Sequence, residues 1–344
     1  MIKSKKLQKG DTVAVVSPSW GGPNVFPHVY ESGIEALKEL GLKIKEYPSS
    51  KKDPDFLYKN PEFRAKDIND AFADNEVSAV IATIGGDDSV RILPFIDVDI
   101  IKKNPKMIMG YSDTCTLLIY FNQLGLVTFN GPAVMAGFSQ WNSLGEEFQK
   151  HVKEILFDNP DNYNYKSYDS YHEGYLDWGD KNNAGKVNPS KKNIGWNWLQ
   201  GDSVFEGELF GGCIEVFEFI KNTRFSPNDD FWNGKILFLE TSEEKLTPEQ
   251  VKYMLRNYGM QGVFDKISGL IFGRARDYSE EENKRLNDNI LKVVNGEFGN
   301  KNIPIITNMD FGHTDPQWIL PLGIKSEIDC DKKEFKLIEK IFED

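Results

Sequence analysis

The first 130 residues alternate short, unbroken apolar runs with stretches of helical period. Asp11–Ser17 (DTVAVVS), Leu42–Tyr47, Ala79–Ile84 (AVIATI), Lys106–Gly110 (KMIMG) and Val127–Asn130 (VTFN) read as strands. Runs without polar alternation belong to strands covered on both faces. Between them, Glu31–Leu40 has helical spacing and stops at Gly41. Asn60-Pro61-Glu62 opens a helix to about Asp74, with Asn as cap, Pro at the first helical position and an acid in the first turn. Thr114–Gln123 is a third helix. Strands alternating with helices predict a parallel sheet with helices on both faces.

The pattern lapses at residue 158. From 158 to 200 no period is sustained, yet the stretch holds Tyr163, Tyr165, Tyr168, Tyr171, Tyr175, Trp178, Trp196 and Trp198. Disordered linkers are poor in aromatics, so this is read as an ordered connection that either binds a ligand or covers the core. Regular patterning resumes with the strand Phe205–Phe210, Gly211-Gly212, and a helical Ile214–Lys221. Lys235–Leu239 (KILFL) is a strand closed by Glu240. Thr247-Pro248-Glu249-Gln250 is a capping box that starts a helix to about Tyr258, with Gly259 past its end. Ile267–Phe272 and Ile303–Thr307 are strands, Glu280–Glu297 is a charged helix, and the last strands lie in Lys325–Ile328 and Glu334–Ile338. The division expected is 1–157 as an α/β domain, 158–200 as an aromatic-rich connector and 201–344 as a mixed α+β domain.

Composition narrows the functional classes. The 344 residues suit two domains. Acidic residues (53) exceed basic ones (41), for a formal net charge of −12. That charge repels phosphate backbones and anionic lipid, so neither nucleic acid nor a membrane is an expected partner. No run approaches the roughly 18 apolar residues of a membrane span. Met1–Lys6 is basic but no apolar core follows, so no export signal is expected. Three scattered cysteines (Cys115, Cys213, Cys330) form neither a disulfide framework nor a metal clamp, and four histidines without HxxH or HExxH spacing predict no metal site. The expected setting is the cytoplasm, without a cofactor.

Candidate chemistry sits where strands end. Ser112 lies in a strand–turn–helix unit at the carboxyl end of the sheet, where open α/β folds place ligands. The Asp113 amide, at a helix N-terminus, can donate to a developing oxyanion. The unit resembles the nucleophile elbow G-x-S-x-G with Thr114 in place of the second Gly; a serine before a helix is equally a favoured N-cap. Gly85-Gly86 ends the neighbouring strand and can bring backbone amides to a ligand, or simply make a tight turn. Glu240 ends an apolar strand and can orient an imidazole, or emerge into solvent; Glu243 and Glu244 are nearby alternatives. His313 alone among the histidines directly follows an apolar strand. Serine needs an adjacent base, and the base an orienting acid. A Ser112–Glu240–His313 set therefore requires a site between the two halves of the chain.

These residues carry a family resemblance. Gly10-Asp11 with Ser17-Pro18-Ser19, Arg64, Phe72-Ala73-Asp74, Ile84-Gly85-Gly86, Gly110-Tyr111-Ser112-Asp113-Thr114, Gly211-Gly212, Leu239-Glu240 and Gly312-His313 follow, in order, the pattern of the LD-carboxypeptidase family of serine peptidases. The resemblance implies a flavodoxin-like N-terminal domain with a parallel sheet, and a swivelling β-rich α+β C-terminal domain. It implies Ser112 as nucleophile, His313 as general base and acid, Glu240 as its orienter, and the Gly86 and Asp113 amides as the oxyanion hole, in a homodimer. One branch trims murein tetrapeptides. The other, the microcin C immunity branch, cleaves the amide joining a peptidyl carboxylate to an aminoacyl-nucleotide. Chain length and the aromatic connector are similar to the second. A peptide or peptidyl-nucleotide substrate would then meet Gly85 and an aromatic of the connector, Trp178 or Trp196, stacked on the base. That branch can carry Asn after Gly-Gly as a substrate contact; this chain has Cys213, and a thiol is a weaker hydrogen-bond partner.

Overall fold

In the computed structural model, which describes residues 1–343, the apolar runs of the first half become five parallel strands. Their order across the sheet is Thr128–Asn130, Met107–Gly110, Val77–Ala82, Thr12–Val16, Lys43–Glu46. The central strands are buried on both faces, which is why they carry no polar alternation. Lys43–Glu46 (KIKE) is the edge strand and is correspondingly charged. A sixth strand, Leu320–Leu322, adds antiparallel to Thr128–Asn130. No pattern in the sequence announced it, since it is three residues long and comes from the far end of the chain.

The order reverses between Thr12–Val16 and Val77–Ala82: the chain leaves the first toward one edge and the second toward the other. Such a switch point opens a crevice at the carboxyl ends of the strands. The loops that follow these two strands and Met107–Gly110 are Ser17–Trp20, Gly85–Asp88 and Tyr111–Asp113.

The second sheet has eight strands. Its centre is four parallel strands, Val204–Cys213, Lys235–Glu240, Gly269–Gly273 and Ile305–Met309, flanked by antiparallel edges. Their carboxyl ends deliver Glu240, Arg274 and the loop Asp310–His313. Val204–Cys213 runs through Gly211 and Gly212 rather than turning there, because both pair with Lys235–Glu240. The Thr247 capping box forms as expected, with Gln250 closing it. Gly259 lies inside that helix instead of ending it; a side chain there would strike the ring of Phe298. The connector carries short strands, among them Ser170–Glu173, which pairs with Thr314–Asp315 just after His313. Among the described residues no helix is long and apolar enough to cross a membrane, and no cluster of His, Cys, Asp or Glu could hold a metal ion.

Candidate active site

Ser112 stands on the bend between Met107–Gly110 and the helix Cys115–Gln123, with φ 57°. A left-handed backbone at a non-glycine residue costs about 1 kcal/mol, so the surroundings hold it there. Asp113 supplies part of that hold. Its buried carboxylate accepts from the Ser89 amide (2.7 Å) and its carbonyl from the Ser89 hydroxyl (2.6 Å). Burial pushes the Asp113 carboxyl above its ordinary range, against the opposing hydrogen bonds from Ser19 and Ser89. Gly85 lies against the same bend. A Cβ on Gly85 would fall 2.8 Å from Ser112 Oγ and 3.3 Å from the Asp113 amide nitrogen. The Gly85-Gly86 turn, the Ser112 hydroxyl and the Asp113 amide therefore converge.

That turn is fixed from below. Arg64, fully buried on the helix Pro61–Ala73, grips Asp88 with two bonds of 2.6 and 2.9 Å and also donates to the Pro18 carbonyl at 2.9 Å. One guanidinium thus ties both loops of the switch point together.

From the second sheet, Glu240 is completely buried and its Oε2 lies 2.6 Å from His313 Nδ1. The approach depends on Gly312, at φ 103°, where a Cβ would sit 2.7 Å from the same oxygen. The Tyr111 ring packs on the imidazole at 5.0 Å between centroids. The other nitrogen, Nε2, has no hydrogen-bond partner, but Glu243 Oε2 lies 3.0 Å away without hydrogen-bond alignment. Burial works against a charge on His313, but the Glu240 and Glu243 carboxylates outweigh it and raise its pKa to about 10. Conversely, the imidazole beside Glu243 pulls that carboxyl down to about 2. The other histidines are engaged elsewhere. His28 bonds the Trp178 carbonyl, His172 the Asn188 carbonyl, and buried His151 both Tyr163 and the Ile319 amide.

Ser112 and His313 line one cleft of about 410 Å³, together with Gly85, Gly86, Trp20, Tyr111, Tyr175, Trp178, Glu243 and Arg276. A cavity of about 500 Å³ is also lined by His151, Ser167 and Glu147, but both nitrogens of that histidine are taken, by the Tyr163 hydroxyl and the Ile319 amide. Trp178 packs edge-on to Phe26 at 5.7 Å, and its carbonyl bond to His28 anchors the connector to the first domain's rim. Two expected substrate contacts lie outside this lining. The Trp196 indole donates to buried Asp310 at 2.8 Å, where Arg274 (2.7 Å) and Asn193 (3.0 Å) also converge. It serves that carboxylate's need for donors. Cys213 is fully buried, its thiol donating to Glu215 at 3.1 Å. Trp20 and Arg276 are not among the expected site residues. Arg276 follows the parallel strand Gly269–Gly273, so the strand-end rule could have found it; Tyr175, one of the connector's aromatics, reaches Tyr111 (2.9 Å between hydroxyls) from an irregular segment whose pattern assigns it no face.

Comparison with known proteins decides the family. Residues 13–131 match the LD-carboxypeptidase N-terminal domain and residues 206–328 its C-terminal domain. The microcin C7 self-immunity protein MccF of Escherichia coli is 30% identical over 97% of this chain and 95% of its own length. The chain belongs to the LD-carboxypeptidase family. A putative carboxypeptidase of Vibrio cholerae is 29% identical over 99% of this chain and 98% of its own. A solved structure of MccF in complex with glutamyl sulfamoyl guanosine superposes with a TM-score of 0.87 at 28% identity, each chain covered in full. The two-domain fold implied by the resemblance is therefore that of this LD-carboxypeptidase, and the chain is a peptidase of the carboxypeptidase type.

Proposed function

We propose that this LD-carboxypeptidase hydrolyses a carboxy-terminal amide bond of a short or modified peptide, a peptidyl-aminoacyl-nucleotide among them, through Ser112, His313 and Glu240. The observation that carries the reading is the buried 2.6 Å contact of Glu240 with His313 Nδ1, on a cleft shared with a serine held at φ 57°. Ser112 Oγ attacks the scissile carbonyl while His313 Nε2 takes its proton. Glu240 fixes the imidazole so that Nε2 faces the reaction, and stabilises the imidazolium. Charge collects on the carbonyl oxygen, and the Gly86 and Asp113 amides donate hydrogen bonds to it. The C–N bond then breaks, His313 returns the proton to the leaving amine, and water hydrolyses the acyl-enzyme by the same route in reverse.

Trp178 lines the cleft, and an indole there supports a substrate bearing a nucleobase. The test is Ser112→Ala with a panel of peptide amides and aminoacyl-nucleotide analogues, products identified by mass. The variant is expected to fold and to lose turnover. Undiminished turnover would exclude the mechanism.

A further inference from the structure

The Ser–His reading leaves one carboxylate unexplained. Nδ1 of His313 is taken by Glu240, so Nε2 is the nitrogen that must receive the serine proton. Glu243 Oε2 lies 3.0 Å from that atom. A negative charge there favours a proton on Nε2, and a protonated imidazole cannot act as a base. Glu240 and Glu243 differ in their freedom. Glu240 is completely buried at a strand end, whereas Glu243 lies in the Thr241–Leu246 turn with half its side chain exposed. Leaving Nε2 costs Glu243 the attraction of the imidazole that holds its carboxyl down, so its departure needs a replacement cation.

The other charges around the pair set what would draw Glu243 away. His313 faces Glu240, Glu243, buried Asp315 and the Tyr111 ring; Glu243 also feels Arg276. Arg276 is the one lysine or arginine lining the cleft. The cleft therefore offers one anionic and one cationic handle near Ser112. An anionic acyl group approaching Glu243 meets repulsion, and a neutral one leaves the carboxylate on the imidazole. A primary ammonium offers it a charge-assisted partner in place of the imidazolium, and its positive charge near the ring disfavours the proton on Nε2.

We propose that Glu243 is a specificity-determining residue: it receives an ammonium group carried close to the scissile carbonyl, and in doing so withdraws from His313 Nε2. The Nε2 proton then passes to water, and the neutral imidazole accepts the proton of Ser112. The proposal rests on Ser112 and His313 acting as nucleophile and base.

Two fluorophosphonates of equal length test it, one with an aminoalkyl arm and one with a plain alkyl arm. Each forms an Oγ–P bond and releases fluoride, with no need to know the natural substrate. Wild-type protein is expected to label at Ser112 roughly tenfold faster, or more, with the aminoalkyl probe. Glu243→Gln is expected to lose that preference, to label faster than wild type with the alkyl probe at pH 7, and to shift the acid limb of the labelling profile to lower pH. Glu243 is half-exposed on a turn, so the substitution removes no core packing; Glu243→Ala should behave alike. Equal preference and an unmoved acid limb in both variants would overturn the role of Glu243 while leaving the nucleophile in place. Absence of Ser112 labelling by either probe, at any pH and in every protein, would overturn the underlying mechanism as well.

Discussion

Gly85→Ala adds one methyl group at the point where the two loops of the first domain meet. The new Cβ would lie 2.8 Å from both Cβ and Oγ of Ser112, about 0.6 Å short of the 3.4 Å at which ordinary contact begins. The backbone at Gly85 has no left-handed φ, so alanine is conformationally permitted and the effect is one of contact alone. Ser112 is pinned on its other side by the bonds that Asp113 accepts from Ser89, so the strain falls on the hydroxyl and on the Gly85-Gly86 turn. Overpacking of this kind costs about 1–3 kcal/mol of stability. A misplacement of about 1 Å at a reacting centre costs on the order of 100-fold in rate, so about half that shift predicts a fall in kcat of roughly tenfold or more. The assay is kcat and KM on a turned-over amide, or the fluorophosphonate labelling rate, beside a urea melt. A variant with wild-type kcat and labelling rate would show that Gly85, Ser112 and the Asp113 amide are not the convergent reaction centre.

Arg64→Met removes a fully buried guanidinium and leaves Asp88 with Arg91 (2.9 Å) as its remaining cation; unfolding free energy should fall by about 3 kcal/mol, and an unchanged urea midpoint would contradict the clamp. The folded pKa of His313 is raised from 6.5 to about 10, so its contribution to stability is complete below pH 6.5 and lost as pH rises through 10. Urea midpoints from pH 6 to 10.5 should show that slope in the wild type and lack it in His313→Gln; parallel curves would count against it. Trp178→Ala should weaken a nucleoside-bearing amide by about 1–3 kcal/mol while sparing the same amide without the nucleoside; equal losses in KM for the two would remove Trp178 from base recognition.

Much of this protein was legible before any coordinates. The buried strands announce themselves because a parallel sheet covered on both faces must be apolar throughout, and each positions the polar residue that ends it: Ser112 after Met107–Gly110, Glu240 at the end of Lys235–Glu240, His313 soon after Ile305–Met309. Local chemistry could go no further, because whether a strand-end residue meets solvent or a partner depends on what the other sheet brings to it. The tertiary structure decided that Glu240, rather than Glu243 or Glu244, takes Nδ1 of His313, and that Glu243 takes the opposite side. It also decided that Trp178 lines the cleft while Trp196 satisfies the buried Asp310, and that the Cys213 thiol serves Glu215. Two tryptophans of one irregular segment look alike in sequence, since no period assigns them a face. Their roles follow from which buried carboxylate lacked a donor, and that is a property of contacts between residues more than a hundred positions apart.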